Sequence, residues 1–476
     1  MTITKASDAA AVKSGEIKLP DKLLDLHFEN DVGYGQMFCN RYRGQIKYIR
    51  DLEQWMRFDK ERGWSPSDEV EVLGMAAEFS EELRQKGKSI AEFQDAREAA
   101  KTRAFYAKLG NLNRISPAIK FARSTGVAIH SGDMDAEPML VGTPNGFIDL
   151  NDISFHPFSF DRLVTKRLGT RFDPSAKAPI WHTFLEQVQP DSEMRAFLQR
   201  LMGYTLTGVI AEHILPFHWG HGGNGKGTFF ERAMLPIFGD YASGITPSLA
   251  FKSKTERAPD VEIHQLAGKR FIMGPDSPNA PELNEGWLKS ASGGDRQKGR
   301  GLYRNFFEYQ PTAKIHLVGN HKPVVQSVDS GFWRRFIMVE WGVEIPPERR
   351  DHTLPAKIAN ELPGILNWVL EGVREWRQGG LKPPASCLEV TQLYRENSDP
   401  LVEFIESKLI QAPETQVSKA DVFQAYTEWC EQAGIRRPMT KRGLGMALMD
   451  RKWQEYKDGD GARHWIGWRV RHSPQT

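Results

Sequence analysis

Apolar residues recur at helical spacing through much of the first 130 residues. The clearest helix is predicted over 69–79, where four apolar residues share one face: Val72, Met75, Ala76 and Phe79. Shorter apolar runs at 47–50 and 55–59 indicate strands that precede this helix. Residues 1–20 are polar and rich in alanine and lysine, and this composition predicts a flexible tail.

The pattern changes to strands between residues 139 and 150. Two apolar runs there flank Asn145-Gly146, a dipeptide that favours a hairpin turn. After a break at Asp173-Pro174, the stretch 180–207 is amphipathic and predicts a helix whose aromatic residues face a core. From 214 to 341 strand-like and helix-like segments alternate, which is typical of an α/β protein.

The C-terminal region predicts a separate module. A glycine- and proline-rich linker at 379–384 comes before it, and Ser418 begins a helix with a capping box. A second helix is expected over 440–450, followed by two aromatic strands around the turn at 458–461. The order helix, helix, hairpin indicates a winged helix.

Composition excludes several classes of protein. The chain has 476 residues, enough for roughly two to four globular domains. Its formal net charge is only +2, so any argument for nucleic acid binding must come from local clusters. The three distant cysteines (Cys39, Cys387 and Cys430) predict neither a disulfide framework nor a zinc site. Without a long apolar run or an apolar leader, the sequence predicts a cytoplasmic protein with no membrane association.

A glycine-rich loop at 219–228 reads Trp-Gly-His-Gly-Gly-Asn-Gly-Lys-Gly-Thr. It lies between an apolar run and a helical segment, an order that cradles the phosphates of a nucleotide. Backbone N–H groups and the charge of Lys226 would bind those phosphates. A Mg²⁺-binding hydroxyl usually follows the lysine directly, but Gly227 stands there and Thr228 comes one residue late. The candidate nucleotide-binding residues are Gly220, Gly222, Gly223, Asn224, Gly225, Lys226, Gly227 and Thr228.

Two later strands place polar residues at their carboxyl ends. Asp276 follows one strand and is a candidate for directing a metal or activating water, with a turn-forming Pro-Asp as the alternative. Asn320 follows the next and would orient the attacking water or contact the terminal phosphate, with a simple turn as the alternative. In a parallel sheet such strand ends converge on the ligand crevice.

Adjacent arginines, Arg334 and Arg335, precede a further apolar strand. Because neighbouring residues of an extended chain point in opposite directions, one is expected to pair internally. The other would reach the nucleotide of a neighbouring subunit. Two solvated surface arginines are the alternative.

Two segments are locally basic. Residues 289–305 carry five basic residues and one acid, Asp295, and glycines at both ends suit a protruding hairpin that contacts a phosphate backbone. Residues 436–476 carry ten Lys and Arg against four Asp and Glu. An ordinary solvated loop is the alternative for the first segment, and protein contacts are the alternative for the second. The candidate DNA-binding residues are Arg296, Lys298, Arg300, Lys441 and Arg442.

Five motifs follow one another in a specific order: Gly-His-Gly-Gly-Asn-Gly-Lys, the strand ending at Asp276, Leu288-Lys289 before Ser-Gly-Gly-Asp, Gly-Asn-His-Lys-Pro, and Gly-Phe-Trp-Arg-Arg. This order resembles that of superfamily 3 helicases. More closely, it resembles the ATPase half of the phage and plasmid primase-helicases, which are related to the poxvirus-type primase-helicase. The resemblance covers roughly residues 140–345.

The resemblance implies an AAA+-like motor that hydrolyses ATP with Mg²⁺, forms a hexameric ring and translocates along DNA. Asn320 matches the sensor asparagine, and Arg334 or Arg335 matches the arginine that acts in trans. The segment 296–300 matches the hairpin that grips DNA. The catalytic residues implied in this way are Lys226, Asp276, Asn320, Arg334 and Arg335, and the implied metal ligands are Thr228 and Asp276.

Two departures from the family pattern concern the metal. Gly227 removes the usual hydroxyl, for which Thr228 would substitute, and Asp276 stands where the family usually has a glutamate. Either Glu282 or Glu285 could share the role of Asp276, and the sequence leaves this open.

The fold class expected is α/β, with an AAA+-like P-loop ATPase core, an α-rich N-terminal region and a C-terminal winged-helix domain. The expected segments are a tail at 1–20, an α+β region at 21–170, a helical segment at 171–210, the ATPase core at 211–345, a helical lid or linker at 346–395 and the winged helix at 396–476.

The expected function is an ATP-dependent replicative DNA helicase of a phage, plasmid or other mobile element. Priming is not expected, because the first 130 residues show no spaced carboxylates for nucleotidyl transfer. Its expected partners are DNA, further copies in a homo-hexamer, and a separate primase or initiator. An AAA+ loader of replication proteins and a non-enzymatic origin-binding or regulatory protein are the alternatives, and Gly227 is the only support for the latter.

Overall fold

The computed structural model describes residues 31–109, 112–252, 260–276, 282–300, 306–325, 330–398, 400–435 and 438–471. The described chain divides into two compact units, one that ends at Phe172 and one that begins at Asp173. No helix in these ranges is long and apolar enough to cross a membrane.

The first unit combines helices with two small sheets. Strands β1 to β4 form one sheet in the order β3-β2-β1-β4, and β5 to β7 form an antiparallel sheet. Its helices are α1 (Asp31–Arg41), α2 (Glu69–Ala91), α3 (Ala96–Leu109) and α4 (Leu112–Phe121). Its strands are β1 (Ile46–Ile49), β2 (Gln54–Asp59), β3 (Gly63–Ser67), β4 (Ala128–Ile129), β5 (Leu140–Thr143), β6 (Gly146–Asp149) and β7 (Ser154–His156).

The helix predicted at 69–79 is confirmed as part of α2, and its predicted apolar face is buried. The predicted hairpin is confirmed as β5 and β6, but its turn is shifted by one residue. Thr143 pairs with Gly146, so the two turn residues are Pro144 and Asn145. Asn145 is held there because its side chain accepts from the Phe172 N–H at 2.9 Å and donates to the Phe172 carbonyl at 3.0 Å.

The second unit is built on a parallel sheet of five strands in the order β14-β8-β13-β10-β9. Its strands are β8 (Leu215–Trp219), β9 (Ala242–Gly244), β10 (Phe271–Met273), β11 (Gln297–Arg300), β12 (Phe306–Tyr309), β13 (Lys314–Gly319), β14 (Phe336–Glu340), β15 (Leu409–Ser418), β16 (Glu455–Lys457) and β17 (Arg463–Val470). The apolar runs predicted as strands before the glycine loop, Asp276 and Asn320 are confirmed as β8, β10 and β13.

Helices surround this sheet and continue beyond it. They are α5 (Pro179–Val188), α6 (Ser192–Leu206), α7 (Leu235–Phe238), α8 (Pro247–Ala250), α9 (Asp260–Gln265), α10 (Glu285–Gly293), α11 (Ser330–Trp333), α12 (Leu354–Asn360), α13 (Leu362–Gly379), α14 (Ala385–Asn397), α15 (Pro400–Lys408), α16 (Lys419–Gln432) and α17 (Lys441–Asp450). A π-helical segment, Thr228–Met234, leads into α7.

The stretch 180–207 is helical as predicted, but two helices occupy it with a short break between them. Helix α5 ends at Val188 and Pro190 follows, which lacks the N–H that a continuous helix needs. Asp191 then caps α6 by accepting from the Glu193 N–H at 2.9 Å. Helix α6 packs closely on α13, since a Cβ added at Gly372 would lie 2.0 Å from the Gln199 carbonyl oxygen.

A chain of hydrogen bonds joins two buried histidines in this sheet to α6. The Trp341 indole N–H donates to His218 Nδ1 at 3.3 Å, which leaves His218 Nε2 as the donor to His316 Nδ1 at 3.2 Å. His316 Nε2 then donates to the Thr205 hydroxyl at 2.9 Å, and that hydroxyl donates to the Leu201 carbonyl at 2.7 Å. Every donor and acceptor in this chain of hydrogen bonds has its partner only while both imidazoles are neutral.

Burial and, to a smaller extent, the charge of nearby Lys314 lower the pKa of His316 to about 3. Burial likewise holds the pKa of His218 well below its usual value. Below pH 6.5 the unfolded chain therefore takes up protons that the folded chain does not, and stability falls as the pH falls. We expect His316→Gln to reduce the slope of unfolding free energy between pH 6.5 and 5 by up to about 1.4 kcal/mol per pH unit. Urea unfolding at several pH values measures this slope.

The exposed His182 provides the matched control for this prediction, because its replacement by glutamine removes a histidine that is in water in both states. That variant should keep the slope of the unaltered protein. Equal slopes for His316→Gln and the unaltered protein would contradict the assignment of neutral, buried histidines.

The C-terminal part of the second unit contains α16, α17 and the hairpin β16–β17, as the sequence predicts. Ser418 caps α16 by accepting from the Asp421 N–H at 3.0 Å. The structure adds α15 and β15, which the sequence analysis did not predict. Strand β15 pairs with β17, and the three strands lie in the order β15-β17-β16 over a core that includes Trp465.

Candidate functional site

The glycine loop follows β8 at the carboxyl edge of the parallel sheet and runs into the π-helical segment. Gly223 and Gly225 have φ values of 79° and 85°, which favour glycine. A Cβ added at Gly220 would lie 2.3 Å from the Trp341 carbonyl oxygen, so that position also requires glycine. At Gly227, in contrast, an added Cβ would meet no atom within 4 Å. A serine or threonine would therefore fit at position 227, so lack of space does not explain the missing hydroxyl.

The loop is fastened to the segment that follows β14. The buried Asn224 side chain donates to the Trp341 carbonyl at 3.0 Å, and its oxygen accepts from the Lys226 N–H at 3.4 Å. The Ile345 N–H donates to the Gly223 carbonyl at 2.9 Å, and the Trp341 N–H donates to the Trp219 carbonyl at 2.7 Å. These bonds hold the loop in one shape.

Lys226 lies inside this loop with 6% of its surface exposed. Its ammonium donates to the Gly220 carbonyl and, at 3.1 Å, to Asn320 Oδ1. Burial lowers the pKa of Lys226 to about 8, while the Asp276 carboxylate acts to raise it. Residues from three strand ends, β8, β10 and β13, therefore act on one ammonium, as expected for parallel strands.

A cavity of about 520 Å³ opens beside the loop. It is lined by Pro179, Ile180, Thr183, Phe184, Gln187, Gly223, Gly225, Thr228, Ile345, Arg349, Arg350, Asp351, Leu354 and Lys357. The sequence did not predict that the cations Arg349, Arg350 and Lys357 would line this cavity. The one signal it offered was the pair of adjacent arginines after the last strand of the sheet. Lys357 pairs with Asp351 at 2.7 Å, and Arg350 Nε donates to the Ile345 carbonyl at 2.9 Å.

The candidate metal ligands differ in their surroundings. Thr228 lines the cavity, and Asp276 is exposed at the end of β10. Glu282, which the sequence left open as a substitute, forms an ion pair with Lys252. Glu285 lies in the first turn of α10. Within the described ranges, no cluster of three or more His, Cys, Asp and Glu side chains could hold a metal ion alone.

Arg334 and Arg335 lie at the amino end of β14. Phe336 pairs with Leu215 at the start of β8 and Glu340 pairs with Trp219 at its end, so the arginines are about 16 Å from the loop along the sheet. Arg335 donates from Nη1 to the Gly331 carbonyl at 3.2 Å, whereas Arg334 is exposed. As the sequence predicts, one arginine bonds internally; that the exposed Arg334 reaches a neighbouring subunit stays a prediction.

The predicted basic hairpin is confirmed as β11 and β12, an antiparallel pair. Its charge is smaller than the sequence suggested, because Lys298 lies opposite Glu308 and their charged atoms are 3.1 Å apart. Arg296 lies 3.9 Å from the same carboxylate. Arg300 is in β11, but its side chain and residues 301–305 lie outside the described part of the chain. Glu308 lies just beyond the basic segment 289–305, so the charge count of that segment does not include it.

In the C-terminal part, Lys441 and Arg442 begin α17 and are both exposed. Thr440 caps the helix by accepting from the Gly443 N–H at 3.2 Å. The neighbouring arginines at 436 and 437 lie outside the described residues. The predicted position of the two basic side chains at the start of the second helix is confirmed.

Known families match both ends of the chain. The family described as "D5 N terminal like" matches residues 35–190, and the family described as "Poxvirus D5 protein-like" matches residues 396–466. The chain is 25% identical over 321 residues to "Putative helicase L207/L206" of Acanthamoeba polyphaga mimivirus. These matches support a relationship between this chain and the poxvirus D5-type primase-helicases.

Further relatives of this chain come from other large DNA viruses. It is 27% identical over 318 residues to "Putative helicase 022R" of Frog virus 3 and 23% identical over 325 residues to "Putative primase C962R" of African swine fever virus. The three matches cover 62%, 61% and 62% of this chain but 33%, 31% and 34% of the relatives. The chain thus spans about a third of the length of these curated relatives.

Among solved structures, this chain is similar to the apo form of the NrS-1 C-terminal region, residues 305–718 of that protein. The two are 12% identical with a TM-score of 0.46, and the similarity covers 89% of this chain and 95% of the other.

Proposed function

We propose that this chain is an ATP-driven DNA helicase motor that acts in the replication of a phage, plasmid or other mobile element. The observation that carries the proposal is the contact of Lys226 with Asn320 at 3.1 Å, beside a glycine loop at the carboxyl edge of a parallel sheet. The viral relatives named helicase support it. We further propose that this unit is an AAA+-like P-loop ATPase.

The residues present fit a nucleoside triphosphate. Gly223 and Gly225 allow the loop backbone to approach phosphates closely, and Lys226 supplies the charge. The adjacent cavity, of about 520 Å³, has apolar walls for a base and cations for phosphate or ribose oxygens. The phosphates would therefore lie along the loop, with the terminal phosphate toward Asn320.

Each residue has a role in this proposal. Lys226 holds the charge of the phosphates, Asn320 orients the attacking water, and Asp276 activates that water or directs the metal. Thr228 and Asp276 would hold Mg²⁺, which neutralises charge that develops on the phosphates when it is bound. Arg334 would complete the site of the neighbouring subunit in a homo-hexamer, because it lies at the opposite edge of its own sheet.

Thr228→Val tests the metal assignment, because valine keeps the shape of threonine but removes the hydroxyl. We expect the Mg²⁺ concentration for half-maximal ATP hydrolysis to rise at least about tenfold, by analogy with the loss of other groups that support a bound metal. A Mg²⁺ titration of ATP hydrolysis measures it.

The double change Gly227→Ser with Thr228→Val should restore the Mg²⁺ dependence, because position 227 is helical and open to a side chain. A Thr228→Val protein with the Mg²⁺ dependence of the unaltered protein would show that another group holds the metal.

We propose that the hairpin β11–β12 contacts single-stranded DNA. Lys298→Gln should weaken binding and lower the log–log salt slope by about 0.7, because one phosphate contact is lost. Glu308→Gln should strengthen binding, because it releases Lys298 and Arg296 from an opposing carboxylate. Fluorescence anisotropy with a labelled oligonucleotide at several salt concentrations measures both, and changes of the same sign in the two variants would contradict the proposal.

We also propose that the C-terminal part is a winged-helix domain that meets DNA through Lys441 and Arg442 at the start of α17. The small fold of two helices and a hairpin supports this assignment, and the exposed positive charge suits a phosphate backbone. A separate primase or initiator is the protein partner that the proposal implies.

The deciding experiment is the unwinding of a forked DNA duplex by the full chain with ATP and Mg²⁺. We expect unwinding that Lys226→Met abolishes. DNA-stimulated hydrolysis without unwinding would favour a loader of replication proteins, and no hydrolysis at all would favour a non-enzymatic origin-binding or regulatory protein.

A further inference from the structure

A second lysine, besides Lys226, lies next to the glycine loop. Lys322 follows Asn320 by two residues, and its ammonium lies over the ring of Trp219, 4.2 Å from the ring centroid. A second ring, that of Tyr394, is 5.7 Å away. Lys322 belongs to the Gly-Asn-His-Lys-Pro motif, but none of the roles proposed above falls to it.

The pairing of β13 with β8 brings Lys322 and Lys226 to the same two residues of the loop, Trp219 and Gly220. Gly319 pairs with Trp219 in the parallel register of β13 and β8, so the chain leaves the two strands at one point of the carboxyl edge. Lys226 donates to the carbonyl of Gly220, and Lys322 covers the ring of the residue just before it. The two ammonium groups therefore flank one turn of the loop.

The partners of Lys322 are weak compared with a phosphate oxygen. Among the described residues its ammonium contacts aromatic faces, and no carboxylate forms an ion pair with it. A hydrogen bond between an ammonium and an anionic oxygen is stronger than a cation–π contact at a half-exposed site. Four single bonds in the side chain allow the ammonium to leave the ring without movement of the backbone.

The position of Lys322 indicates which phosphate it would meet. The cavity that suits the base and ribose is lined by Gly223, Gly225 and Thr228, and its lining includes neither Trp219 nor Lys322. A nucleotide that begins in this cavity and follows the loop reaches Lys226 and Asn320 with its far end. That end is the terminal phosphate of a triphosphate.

We propose that Lys322 binds the terminal phosphate of a nucleoside triphosphate and leaves the face of Trp219 when it does so. The proposal rests on the proposed function, because it assumes that a nucleotide occupies the loop. It assigns to Lys322 the distinction between triphosphate and diphosphate, whereas Lys226 serves both.

The test is the affinity of the full chain for two nucleotides with Mg²⁺, the non-hydrolysable triphosphate AMP-PNP and ADP. We expect Lys322→Met to weaken AMP-PNP binding by about 10- to 100-fold, the effect of one lost charge-assisted hydrogen bond, and to change ADP binding less than about twofold. Lys322→Arg should restore AMP-PNP affinity to within a few-fold. Lys269→Gln, a change at the amino edge of β10, is the matched control and should alter neither affinity.

Equal weakening of both nucleotides by Lys322→Met would overturn the proposal, since loss of the packing on Trp219 alone would have that effect. Unchanged binding of both would overturn it as well. Lys322→Gln provides a second variant if the methionine protein does not fold. Lys226→Met tests the nucleotide site separately from the role of Lys322. If Lys226→Met leaves the affinities for AMP-PNP and ADP unchanged, the nucleotide site itself is wrong. If Lys226→Met weakens binding but the Lys322 variants do not weaken AMP-PNP binding selectively, the nucleotide site is retained and only the role of Lys322 is wrong.

Discussion

Replacement of Arg334 by alanine should lower ATP turnover by about 10³- to 10⁵-fold, the effect of removing an arginine that stabilises the transition state of phosphoryl transfer. Nucleotide affinity should change little, because Arg334 lies at the opposite edge of its own sheet from the glycine loop. Steady-state hydrolysis together with ADP binding separates the two quantities.

Arg335→Ala is the matched control for this prediction. Its guanidinium bonds to the Gly331 carbonyl within the same molecule, so its loss should reduce stability by about 1 kcal/mol and turnover by much less than the loss of Arg334. If Arg335→Ala abolishes turnover and Arg334→Ala does not, the assignment of the two arginines is reversed.

Mixed subunits provide the sharpest form of the experiment. An Arg334→Ala subunit keeps its loop, and a Lys226→Met subunit keeps its arginine, so each would complete the other at one type of interface. Mixing the two inactive proteins should therefore recover part of the hydrolysis. No recovery, together with a monomeric mass in the presence of nucleotide and DNA, would contradict action in trans.

Replacement of Lys226 by methionine should abolish hydrolysis and weaken ADP binding by about 10- to 100-fold, because the methionine cannot bond to phosphate oxygens. The unaltered protein should also show a distinctive pH dependence. Burial lowers the pKa of Lys226 to about 8, and phosphate binding requires the charged form. Above pH 8 the affinity for ADP should therefore fall by up to about tenfold per pH unit.

Equilibrium binding of a fluorescent ADP analogue at pH 7, 8, 9 and 10 measures this dependence. The Lys226→Met protein should bind weakly at every pH, with no such fall. Lys269→Gln again provides a control lysine outside the loop. A Lys226→Met protein with the same fall in affinity would assign the titrating group to another residue.

The sequence predicted the parts of the site that are carried by short motifs after strands. Lys226 and Asn320 are far apart in the chain, yet their contact follows from one rule, the convergence of parallel strand ends. The sequence also predicted one internally bonded arginine, but for the wrong reason, because Arg334 and Arg335 lie in the turn between α11 and β14 and not in an extended strand.

The features that the sequence did not predict depend on contacts across the fold. Glu308 opposes Lys298 only because of the register of β11 and β12, which is set through residues beyond the basic segment. Arg349 and Arg350 line the cavity only because the chain after β14 returns past the glycine loop. The break between α5 and α6 was missed for another reason, because the amphipathic pattern continues across Pro190 although the helix does not.

Trp341 joins the loop to the interior at three points: its carbonyl accepts from Asn224, its N–H donates to Trp219, and its indole donates to His218. None of these bonds involves a ligand, so the loop acquires its shape when the chain folds. Binding then requires little ordering of the backbone. In the proposed ring, the loop of every subunit would keep its binding conformation throughout the cycle. The order in which the subunits hydrolyse ATP would then depend on the arginines that neighbouring subunits contribute.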